Sequence, residues 1–88
     1  MKAVVTVLGK DRTGIIANVS NLLYQKGVNI LDISQTILSG MFTMIMLVEV
    51  GQDAQYDEVR SALMDLAKEM GLEIRVQRSD IFDAMHRI

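Results

Sequence analysis

The chain has 88 residues, 50% of them hydrophobic, with 9 Lys plus Arg against 11 Asp plus Glu and a net charge of −2. A chain of this size forms one small domain with a thin core, and its interspersed charges leave no basic footprint for nucleic acid. With no Cys there is no disulfide framework or thiolate metal site, and no run nears the roughly 18–20 apolar residues of a membrane span.

The first run, Lys2 to Leu8, is rich in Val and Thr and apolar on both faces, which suits a central strand. It ends too early to serve as a signal segment, so a soluble, cytoplasmic protein is expected. From Gly14 to Lys26 the residues Ile15, Ile16, Val19, Leu22 and Leu23 fall at helical spacing. Thr13 is the candidate N-cap and Gly27 the candidate C-cap glycine. In VNILDISQTIL, the residues Leu31, Ile33, Gln35 and Ile37 alternate with Asp32, Ser34 and Thr36, the pattern of a half-exposed strand. Ser39-Gly40 signals a turn, and Met41 to Val50 completes a hairpin. After a polar loop from Gly51 to Gln55, the stripe Val59, Leu63, Leu66 and Met70 predicts a helix over Tyr56 to Met70, closed by Gly71. Leu72, Ile74 and Val76 then alternate with charged and polar residues as a last strand.

The expected fold is therefore α+β, a ferredoxin-like βαββαβ sandwich with a four-stranded antiparallel sheet and both helices on one face. Strands one and three would lie centrally and strands two and four at the edges. The expected division is a domain over 1–78 and a C-terminal amphipathic helix over 79–88, striped by Ile81, Phe82, Met85 and Ile88. Strand three is apolar on both faces, with Ile45 and Leu47 opposite Phe42, Met44, Met46 and Val48. Two helices cover one face only, so the terminal helix or a second subunit is expected on the other.

The chemistry-bearing stretch is GKDRTGII, residues 9–16, between the first strand and the first helix. A P-loop needs Lys and Ser or Thr where Ile15 and Ile16 stand, and G-x-G-x-x-G is absent, so a nucleotide is not expected. A single carboxylate is a better fit, held by backbone N–H groups of Gly14, Ile15 and Ile16 at the helix start. Asp11 offers an acceptor for an ammonium group, and Asn29, at the start of the second strand, both donates and accepts. Should that strand begin beside the loop, the three together would receive an α-amino acid. The same residues also suit a plain turn, with Asp11 and Thr13 capping and Asn29 following Gly27.

The element order, the GKDRTGII turn and VNILDISQ together resemble an ACT domain, a small regulatory module that senses amino acids. Gly9, Asp11, Arg12, Gly14 and Ile15 match the family's first-turn pattern, and Asn29 matches its Asn at the second strand. Thr13 departs from it, standing where many members have proline. The likeness covers about residues 3–77 and is closest to small stand-alone members similar to one ACT half of the glycine cleavage system regulator. It implies edge-to-edge pairing into a homodimer, with an amino-acid effector bound between the first loop of one copy and the second strand of the other. On that basis the candidate ligand-binding residues are Gly9, Asp11, Arg12, Thr13, Gly14, Ile15, Asn29 and Ile30.

No paired carboxylates or nucleophile–base pair is visible, so neither an enzyme nor a cofactor is expected. Asp80, Asp83 and His86 share helical spacing but lack a further ligand for a metal, and none is expected. The alternative function is a ligand-free interaction module that captures a protein through the fold and its terminal helix.

Overall fold

The computed structural model describes residues 1–78. The elements follow the expected order: β1 (Lys2–Lys10), α1 (Ile15–Gln25), β2 (Asn29–Leu38), β3 (Met41–Glu49), α2 (Asp53–Met70) and β4 (Glu73–Arg78). They build a four-stranded sheet in the order β2-β3-β1-β4, with every neighbouring pair antiparallel. The predicted helix over 79–88, with its Ile81, Phe82, Met85 and Ile88 stripe and the Asp80, Asp83 and His86 trio, lies outside the described residues.

Alternation along the strands decides which face is covered. Ala3, Val5 and Val7 of β1, Phe42, Met44, Met46 and Val48 of β3, and Ile74 of β4 share one face and are buried. Val19 and Leu23 of α1 and Val59 and Leu63 of α2 complete the same core. Each such side chain contributes about 1.5–3 kcal/mol on leaving water, which is how a thin core holds a chain this short. The other face carries Val4, Thr6 and Leu8 beside Thr43, Ile45 and Leu47, of which Ile45 stays 49% exposed.

Four local features differ from the sequence expectation, each for a physical reason. Gly14 caps α1 in place of Thr13, with φ 92 and no side-chain cap hydrogen bond, so the helix begins one residue late. Helix α2 begins at Asp53, three residues before Tyr56, with Gln52 as its extended N-cap and Tyr56 N donating to Gln52 O. A polar residue sets that start: Gln55 Oε1 accepts from Gly51 N at 2.7 Å while its Nε2 donates to Lys26 O at 2.6 Å. One side chain thus ties the end of α1 to the start of α2, which an apolar periodicity cannot register. Gln55→Ala is expected to cost about 1 kcal/mol in urea unfolding, because two backbone groups lose their partner.

Strand β2 is also more exposed than a half-buried strand, since of its ten residues all but Ile30 are exposed. It is an edge strand, paired on one side only, with β3. Its register with β3 shifts between Ile30 and Asp32, leaving Leu31 as an extra residue. This bulge puts Ile30 against the core, on the face shared by Ile33, Gln35 and Ile37. The hairpin turn has φ 52 at Ser39 and 77 at Gly40, the positive pair that a two-residue hairpin requires.

Candidate functional site

The loop between β1 and α1 is held from two sides. Asp11 N donates to Gly40 O at 2.8 Å, fastening it to the β2–β3 turn. Arg12 Nη1 donates to Met70 O at 3.0 Å, at the last turn of α2, where carbonyls favour a cation. Between these anchors Gly14 takes its left-handed conformation and turns the chain into α1. Its carbonyl accepts both the Asn18 amide at 2.9 Å and Asn18 Nδ2 at 2.7 Å. The first turn of α1 contains no acidic residue and has no side-chain cap, so its N–H groups face outward with the positive end of the dipole.

Beside that turn lies a cleft of about 200 Å³. Asp11, Arg12, Gly14 and Ile15 line it, together with Ile16 and Ala17 of α1. Gln35 and Ile37 of β2 and Phe42 of β3 form the opposite wall. Sequence reasoning missed those three, although a signal for them existed. A two-residue turn at Ser39-Gly40 fixes Ile37 opposite Phe42, and Phe42 in turn pairs with Gly9 of β1.

The remaining candidate residues fall elsewhere. Thr13 is exposed on the loop but does not line the cleft. Gly9 has a packing role, because a Cβ there would come within 2.5 Å of Leu72 Cδ2. Asn29 and Ile30 are at the far end of the sheet, since Asn29 pairs with Glu49, which faces Lys2 at the start of β1. Within one chain the proposed trio of loop amides, Asp11 and Asn29 is therefore not assembled. The cause is topological: α1 carries the chain back along the sheet, about 16 Å for its 11 residues, before β2 begins.

Among the described residues no group of three His, Cys, Asp or Glu side chains is placed to hold a metal ion. No helix among them is long and apolar enough to cross a membrane. Residues 2–77 match the family model described as the ACT domain.

The chain belongs to the ACT domain family. It is 46% identical over 89 residues to a UPF0237 protein of Listeria innocua, covering 100% of both chains. Among solved structures it is similar to an ACT domain protein from Streptococcus pneumoniae, with a TM-score of 0.82, 38% identity and 93% coverage of each chain. A chain assigned as a glycine cleavage system transcriptional repressor gives a TM-score of 0.81 at 31% identity, over 88% of this chain and 44% of that one. These likenesses support a regulatory, ligand-binding role for this ACT domain.

Proposed function

We propose that this ACT domain is a cytoplasmic, non-catalytic sensor that binds a small amino acid as a homodimer and passes its occupancy to a partner. The observation that carries this reading is the cleft beside the uncapped first turn of α1. It has room for a small zwitterion and offers N–H groups to a carboxylate. At about 200 Å³ within one chain it is smaller than the roughly 300–1,000 Å³ typical of sites for drug-sized molecules.

A second copy would complete the site. Strand β2 is a free edge, and antiparallel pairing of two such edges brings the Asn29 end of one strand to the Ile37 end of the other. Asn29 and Ile30 would then reach the cleft from the neighbouring copy, with Asp11 and Asn29 both available to an ammonium group. The exposed apolar residues on this flank, Ile33 and Ile37 on β2 and Ile16 on α1, would be covered by the same pairing. One detail sets the strength of that contact: Ile33 N already donates to Asp32 Oδ1 at 2.9 Å, so a partner strand that uses this amide must displace the carboxylate.

Signalling needs no chemistry here, only a partner that prefers the occupied or the empty dimer. Sedimentation and thermal shift against the twenty amino acids test the reading. A dimer that melts later with one of them supports it. A monomer, or a dimer indifferent to all of them, contradicts it. Ile33→Glu is expected to convert the dimer to a folded monomer in sedimentation velocity, because it places like charges at the paired edges.

A further inference from the structure

The face of the sheet opposite the two helices carries an apolar strip. Alternation places Val4, Thr6 and Leu8 of β1 beside Thr43, Ile45 and Leu47 of β3 there, and Ile45 is 49% exposed. Two strands at about 4.8 Å spacing make the strip about 10 Å wide, and from Val4 to Leu8 it is about 13 Å long. Its flanks are polar, with Asp32, Ser34 and Thr36 on β2 and Glu73, Arg75 and Gln77 on β4. Two occupants suit such a strip by sequence alone, a second copy of the chain or residues 79–88. A second sheet laid on it would need about 800 Å² from each side and would strip water from both flanks. A helix, about 10–12 Å across, covers the strip and leaves the flanks in water.

Strand β4 delivers the chain to the right place. Arg78 pairs with Ala3, so residues 79–88 leave the sheet one strand away from Val4. Ser79 and Asp80 are residue types that make turns and start helices. Ile81, Phe82, Met85 and Ile88 then share one helical face, and residues 81–88 as a helix measure about 12 Å, the length of the strip. The charges agree in order. Asp80 and Asp83 would start beside Lys2, which shares the face of Val4, and Arg87 would arrive near Glu73, opposite Leu8. We propose that residues 79–88 fold back as a helix over β1 and β3 of their own chain, seating Phe82 and Met85 on Val4, Leu8, Ile45 and Leu47. The free edge of β2 stays open to a second copy.

A carbon–proton methyl spectrum of the full chain tests this through the ring of Phe82. Of the four aromatic residues, Phe42 is buried on the helix side of the sheet, and Tyr24 and Tyr56 lie on α1 and α2. Methyl signals of Val4, Leu8, Ile45 or Leu47 are expected upfield, at the same positions in concentrated and dilute protein, and Phe82→Leu is expected to return them. Methyl signals that Phe82→Leu leaves unmoved overturn the proposal. Upfield shifts that fade on dilution assign the strip to a second copy and overturn it as well. The chain has no Cys, so Ile45→Cys combined with Phe82→Cys or with Met85→Cys gives an independent reading. Oxidation is expected to close a disulfide within one chain, at monomer mass under denaturing conditions. Free thiols in both pairs, or a crosslink at twice that mass, overturn the proposal.

Discussion

Leu63→Ala is expected to lower the melting temperature by about 10–30 °C. Leu63 is fully buried on α2, within the one apolar cluster that joins both helices to the sheet. Removing such a side chain typically costs about 2–5 kcal/mol, the lost transfer energy plus the cavity left behind. A domain of this size has about 4–13 kcal/mol in total, and each kcal/mol moves its melting point by about 4–8 °C. Asp65→Ala, two residues along and exposed, is the matching control and is expected to stay within about 0.5 kcal/mol. Equal melting points for the two variants would mean that α2 is not packed as described.

Gly14→Ala carries the second large effect, on stability and on binding together. At φ 92 an L-residue is strained by roughly 1–2 kcal/mol, and the added Cβ would sit 3.1 Å from Asn18 Nδ2. Relief of either strain turns the first amides of α1 away from the cleft, so amino-acid binding is expected to fall by tenfold or more, about 1.4 kcal/mol. Gly27→Ala separates the two effects. Its φ of 72 gives comparable strain, but it lies beyond the other end of α1 with only an ordinary contact to Gln55 Nε2 at 3.5 Å. Chemical denaturation should show similar losses for both variants, while titration should show lost binding for Gly14→Ala alone. Equal binding by both would place the ligand somewhere other than the first turn of α1.

Much of this architecture was readable from residue order. A run rich in Val and Thr and apolar on both faces marked β1, the Ser39-Gly40 turn marked the hairpin, and Gly27 and Gly71 fell where helices end because only glycine takes positive φ there freely. The loop side of the cleft was legible in part, since Gly14 marks the start of α1, whose first amides have no side-chain cap. The far wall was harder to see. Gln35, Ile37 and Phe42 enter through strand register, which the Ser39-Gly40 turn sets and apolar spacing alone does not. The first turn of α2 was hidden because Gln55 starts it by polar bonds to Gly51 and Lys26, not by apolar spacing. The bulge at Leu31 escaped because one inserted residue keeps the alternation on either side of it while exchanging the faces. Whether Asn29 starts beside the loop could not be read from local sequence; the length of α1 decides it within the chain, carrying β2 to the opposite end of the sheet.

The most direct measurement is a nitrogen–proton correlation spectrum of the labelled protein, titrated with each of the twenty amino acids in turn. Saturable shifts at the amides of Gly14, Ile15 and Ile16, with matching shifts at Asn29 and Ile30 that vanish in the monomeric Ile33→Glu variant, are the predicted result. Unmoved amides at Gly14 to Ile16 with all twenty amino acids at millimolar concentration would contradict it.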